Sequence, residues 1–152
     1  MDRNQLLALK TEIETDPTIL GYASKTDVEI LALITAKNIP ARRDVKWSTI
    51  FKYAMTEGFW QGIVAASRDS AHPAYQAALA AVELKDIFRD DVIDTGLPIF
   101  LQLSQGLVGA GLMTSLQMDT LIAMGDEIIS RADQLGFVDI GIGSIQFAMG
   151  VI

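Results

Sequence analysis

The sequence predicts an all-α fold, a compact single-domain multi-helix bundle over residues 1–152 with an apolar C-terminal tail. Three observations carry this reading: apolar residues recur at three- and four-residue spacing, two capping boxes mark helix starts, and Gly and Pro fall between the periodic segments. With 152 residues, half of them hydrophobic and a fifth charged, the chain has the material for one sizeable core. That composition excludes disorder and leaves exposed apolar surface as an expectation.

A first helix begins near Asp2, places Leu6, Leu9 and Ile13 on one face, and stops before Asp16-Pro17. After the turn at Gly21, Thr26-Asp-Val-Glu29 is a capping box that opens a second helix, apolar nearly all round through Val28 and residues 30–34. A strand is the rival reading of that segment, and Asn38-Ile39-Pro40 ends it. A basic loop then leads to Trp47, Ile50, Phe51, Ala54 and Met55 at helical spacing, continued past Gly58 by Phe59, Trp60, Ile63 and Val64. Two helices or one kinked helix fit equally, and the aromatic residues read as core rather than as a stacking platform. Pro73 is expected in the first turn of an alanine-rich helix from Ala74 to Arg89, whose small side chains permit close helix contact.

The next helix should end at Gly109 or Gly111, because Thr114-Ser-Leu-Gln117 is a second capping box, flanked by Met113 and Met118 at the staple positions. That box opens a helix carrying Leu116, Leu121, Ile122 and Met124 up to Gly125. A short helix follows from Ser130 to Leu135 and stops at Gly136. Residues 137–152 hold one charge, Asp139, among Phe137, Ile140, Ile142, Ile145, Phe147 and Met149. Such a segment either packs back on the domain or inserts into a neighbouring subunit, and these six are the candidate subunit contacts.

Several function classes lack their residues. Without cysteine there is no thiolate nucleophile, disulfide framework or cysteine zinc site, and His72 is the only histidine. Asp90, Asp91 and Asp94 crowd one helix end, but no glycine and closing glutamate complete a calcium loop. The glycines at 106, 109 and 111 are in the wrong order for a dinucleotide fingerprint and lack the lysine of a phosphate loop. The 24 uncharged residues between Asp94 and Asp119 are broken by polar residues, Pro98 and the glycines at 106, 109 and 111, so a membrane span is not expected. The N-terminus lacks the layout of a secretory signal. No catalytic, cofactor or metal site is therefore expected.

The net charge of −7 is uneven: residues 1–76 balance nine basic against nine acidic groups, whereas residues 77–152 carry three basic and ten acidic. This argues against sequence-specific nucleic-acid binding, which needs clustered cations. Arg42, Arg43 and Lys46 form the one basic candidate patch, suited to a phosphate or an acidic partner surface, with a solvated loop as the plainer reading.

Two stretches resemble small virion structural proteins of tailed bacteriophages. The first is Leu9-Lys-Thr-Glu-Ile-Glu-Thr-Asp-Pro17 with Leu20-Gly-Tyr-Ala23, Thr26-Asp27 and the helix at residues 31–34; the second is Ile129-Ser-Arg-Ala-Asp-Gln-Leu-Gly136. They cover about a third of the chain, in matching order, and the stretch from Pro40 to Ala66 reads as an insertion. The resemblance implies a non-enzymatic, cofactor-free component of the neck or tail. In that role it would be a head–tail connector or adaptor, a homo-oligomeric ring around the DNA channel with portal or tail proteins as partners. It also implies synthesis in the host cytoplasm and residence in the virion. A helical assembly helper that binds partner helices is the competing class, followed by a small enzyme.

Overall fold

Asp2 starts the first helix by accepting the Gln5 N–H at 2.8 Å, while the Gln5 side chain returns to the Asp2 N–H. In this computed structural model, which describes residues 1–89 and 91–152, the resulting helix α1 spans Arg3–Thr15. It is followed by α2 (Asp27–Thr35), β1 (Ile39–Arg42), β2 (Val45–Lys46), α3 (Trp47–Thr56), α4 (Phe59–Ala66) and α5 (Tyr75–Ile87). The remainder is β3 (Val92–Ile93), α6 (Pro98–Gly109), α7 (Ser115–Ala123), β4 (Asp126–Ile129), α8 (Arg131–Gln134) and α9 (Ile142–Ala148).

The fold is mostly helical, 56 % of the chain, but the all-α expectation needs correction, because two small antiparallel sheets pair β1 with β4 and β2 with β3. The reason is local. Pro40 cannot donate to a helix and holds Ile39 extended, and the β-branched Val45, Val92, Ile93, Ile128 and Ile129 suit short ladders. Val45 faces Ile93 and Lys46 faces Val92 in the second ladder. Both Thr capping boxes form as read: Thr26 accepts from Glu29 N–H, and Thr114 from Gln117 N–H at 3.2 Å. The α2 segment is helix, not strand, and Gly58, at φ +78°, separates α3 from α4.

The chain gathers into two compact units, one of Met1–Ala41 with Ile128–Ile152 and one of Arg42–Glu127. In the first, α9 packs on α1 and α2, and α2 on α8, around Leu9, Tyr22, Ile30, Ile34, Phe137 and Ile145. In the second, α3 to α7 pack consecutively around Trp47, Ile50, Trp60, Ile63, Phe100 and Leu107. The aromatic stripe is core there, with Phe51 and Trp60 edge to face at 5.1 Å between centroids. A Cβ on Gly106 of α6 would stand 3.4 Å from the Ala77 Cβ of α5, so the small residues do bring these helices close.

Three placements differ from the pattern. Pro73 lies in the turn before α5 rather than in its first turn, whereas Pro98 opens α6. Leu116 is 76 % exposed on α7 while Leu121 is buried, and Val28 of the nearly all-apolar α2 is exposed.

Candidate functional site

The Asp16-Pro17 motif builds a loop whose geometry follows from one carboxylate. Asp16 ends α1 in the left-handed region, which short polar side chains tolerate, and its carboxylate accepts the N–H groups of Leu20 (2.7 Å), Gly21 (2.7 Å) and Tyr22 (3.3 Å). Desolvation alone would raise its pKa; the three N–H donors outweigh it and hold the carboxyl below its ordinary range. Gly21, at φ +80°, turns the chain so that Tyr22 enters the core. Ile19, in contrast, points away at 89 % exposure with φ +55°, an unfavourable conformation for a β-branched residue.

Tyr22 sits beside a buried ion pair. Glu12, only 5 % exposed, accepts from Arg131 Nε at 2.7 Å and from Nη2 at 2.8 Å, a planar fork of the kind only arginine makes with a carboxylate. Arg131 Nη1 also donates to Gln134. Hydrogen bonding to Glu12 pushes the Arg131 pKa up, and burial, followed by the Glu12 charge, pushes the Tyr22 phenol up. Ser130 caps α8 through Asp133, whose carboxyl is lowered by the Ser130 N–H and hydroxyl it accepts from.

In the Arg42–Glu127 unit, the candidate basic residues act on one helix end. Arg42 donates to the Ile122 carbonyl at 2.9 Å, to the Thr95 hydroxyl at 2.8 Å, and to the carboxylates of Asp94 and Asp126. Thr95 is fully buried and donates in turn to the same carbonyl at 3.0 Å. Arg43 reaches the Met124 carbonyl, and its N–H donates to the Gly125 carbonyl at 2.8 Å. The two arginines thus cover the orphan carbonyls and negative dipole end of α7. A Cβ on Gly125 would stand 2.6 Å from Arg42 Nη2 and 2.9 Å from Thr95 Oγ1, so a larger residue there has to displace the guanidinium or the threonine hydroxyl. Lys46 is exposed on β2.

The six tail residues divide. Phe137 and Ile145 belong to the core of their own unit and Ile140 packs against it, while Ile142, Phe147 and Met149 are about two-fifths exposed (42, 40 and 41 %). Ile19, Val138, Val151 and Ile152 add further exposed apolar surface. His72 caps its own turn, Nδ1 accepting the Ala74 N–H at 3.0 Å. Of the acidic run, Asp94 pairs with Arg42 and accepts from the Gly96 N–H, Asp91 is exposed, and Asp90 lies outside the described residues. Among the described residues no cluster of three or more His, Asp or Glu could hold a metal ion, and no helix is long and apolar enough to cross a membrane.

The Glu12–Arg131 pair left a signal that the periodicity reading did not use. Glu12 falls on the same face as Leu9, and Arg131 is the only Lys or Arg after Arg89. An acid inside an apolar stripe requires a cation, and few were available. Partners for Arg42 leave no such trace, because Asp94 and Asp126 are two of ten acids in that half of the chain. No family model, curated protein or solved structure matches the chain.

Proposed function

We propose that the chain is a non-enzymatic structural subunit of a tailed-phage virion, of the head–tail connector or adaptor type, assembling as a ring around the DNA channel. The observation that supports this reading is the Glu12–Arg131 fork. Glu12 lies in the first of the two stretches that resemble phage virion proteins and Arg131 in the second, and the fork joins them across 119 positions. Both stretches fall wholly within the unit of Met1–Ala41 and Ile128–Ile152, with Arg42–Glu127 set between them as a separate unit. A resemblance split between two distant stretches of sequence is therefore continuous in space.

Physical features agree with the role. Exposed Ile142, Phe147, Met149, Val151 and Ile152 offer apolar surface for neighbouring subunits. A net charge of −7 lets a ring surround DNA without gripping it, because phosphates find few cations to replace their counterions. The test is mass spectrometry of purified virions with copy number. A fixed copy number consistent with a ring is the expected result. Absence from mature particles after presence in assembling ones would establish an assembly helper instead, and a hydrolytic or transfer activity of the purified chain would overturn the non-enzymatic reading.

A further inference from the structure

We propose that the cavity between the start of α3 and the end of α5 is a binding site for a small phosphomonoester carrying one flat apolar ring. The cavity, of about 180 Å³, is lined by Trp47, Ser48 and Phe51 of α3, by Lys85 of α5 and by Arg89 just beyond it. All five residues belong to the Arg42–Glu127 unit. The site is independent of the virion reading, which assigns the chain no ligand.

Charge selects this cavity. Residues 77–152 carry three basic groups against ten acidic, and two of those three basic groups line it. Among the described residues no acid lines the cavity, and neither Lys85 nor Arg89 stands in an ion pair. Lys85 Nζ lies instead over the rings of Phe51 and Trp60, 5.1 and 6.0 Å from their centroids, which hold the ammonium without neutralising it. The helix ends cancel one another. The last turn of α5, which contains Lys85, brings about half a negative charge, and the start of α3, with no side-chain cap and no acid in its first turn, about half a positive one. The two cations remain.

A phosphomonoester matches that charge, because it carries about −1.5 to −2 near neutral pH, whereas a single carboxylate leaves one cation unmatched. The donors agree with it. Arg89 offers a planar fork suited to phosphate oxygens, Lys85 a compact charge and Ser48 a hydroxyl. Trp47 is 6 % exposed, and its indole N–H is buried with no hydrogen-bond partner among the described residues. An acceptor in the cavity that Trp47 lines would relieve this cost. The rest of the lining is the aromatic surface of Trp47 and Phe51, which suits a flat ring. Size sets the limit: about 180 Å³ is below the roughly 300 Å³ at which pockets enclose drug-sized ligands, so the site takes one phosphate and one ring, not a dinucleotide.

Calorimetric titration of the full chain with phenyl phosphate tests this, with far-ultraviolet circular dichroism as the check on folding. Saturable binding is expected with a dissociation constant of about 0.1–1 mM, the range that two charge-assisted contacts support. Arg89→Gln, at an exposed position, and Lys85→Gln should each weaken binding by about tenfold or more while the helical spectrum is kept. Ser48→Asp, also at an exposed position, should abolish it, since the new carboxylate stands in the cavity and occupies the cations. Inorganic phosphate and phenol each carry half of the ligand's chemistry and should bind about tenfold more weakly than phenyl phosphate, or less. The absence of saturable binding overturns the site, as does binding that persists unchanged in the folded Arg89→Gln and Ser48→Asp variants. Inorganic phosphate as tight as phenyl phosphate overturns the assignment of the ring, and benzoate as tight as phenyl phosphate overturns that of the phosphate.

Discussion

Arg131 meets Glu12 in a two-point fork, Nε to Oε1 at 2.7 Å and Nη2 to Oε2 at 2.8 Å, closing a loop of chain that contains the whole Arg42–Glu127 unit. Removing one partner leaves the other charge buried without compensation, so Arg131→Ala should destabilise the protein by about 3–5 kcal/mol. The double variant Glu12→Leu with Arg131→Met should recover most of that loss, since it leaves no buried charge. Urea melts of the three variants decide it; a loss below about 1 kcal/mol for Arg131→Ala would show that the fork is solvated and structurally minor.

Acid should weaken the unit that holds the fork. The carboxyls of Asp16, Glu29 and Asp133 are all lowered, by backbone N–H groups that outweigh desolvation at Asp16, by the Thr26 N–H and hydroxyl at Glu29, and by those of Ser130 at Asp133. A carboxyl lowered by folding contributes stability above its unfolded value and loses that contribution as pH falls through its folded value. The loss thus begins near the ordinary values of 4.5 for Glu29 and 3.8 for the two aspartates and continues below them. Between about pH 5 and about pH 2, circular dichroism should report lost helix, and Asp16→Asn should flatten part of that dependence. An unchanged acid profile in Asp16→Asn would remove Asp16 from the account.

Gly125→Ala should destabilise the Arg42–Glu127 unit by about 1–3 kcal/mol, the usual cost of forcing atoms into a filled site. The added Cβ would stand 2.6 Å from Arg42 Nη2 and 2.9 Å from Thr95 Oγ1, displacing the guanidinium from the end of α7. Thermal melts followed by the fluorescence of Trp47 and Trp60, both in this unit, provide the measurement. Full stability in Gly125→Ala would mean that the guanidinium moves freely and does not hold the helix end.

Ile19→Asn should stabilise the protein by about 1 kcal/mol, because the left-handed conformation costs L-residues roughly 1–2 kcal/mol and asparagine tolerates it better. At 89 % exposure, Ile19 contributes almost no core packing that the change would forfeit. Equal denaturation midpoints would show that this backbone strain relaxes in solution.

The fragment of residues 42–127 should fold by itself. Its core is contained within it, and its ends are tied by Arg42 to Asp126 and by the Arg43 N–H to the Gly125 carbonyl. A cooperative thermal transition with helical circular dichroism and buried-tryptophan emission is the expected result. A fragment without a transition would show that this unit depends on the rest of the chain.

Helix existence was legible in the sequence because its causes are local. Thr26 with Glu29 and Thr114 with Gln117 satisfy N–H groups within one turn, Gly58 and Gly136 take positive φ where helices stop, and Leu9 recurs with Ile13 on one face. Tertiary structure alone decided what depends on residues far apart in the chain. The short ladders need partners from distant positions, which no window of sequence contains, and the same holds for Arg42 choosing Asp94, Thr95 and Asp126. The tail shows the division most plainly. Its apolar composition required that it be covered, but only the packing of α9 on α1 and α2 determined that Ile145 lies inside and Phe147 faces out, because burial belongs to the surface a side chain meets rather than to the side chain itself.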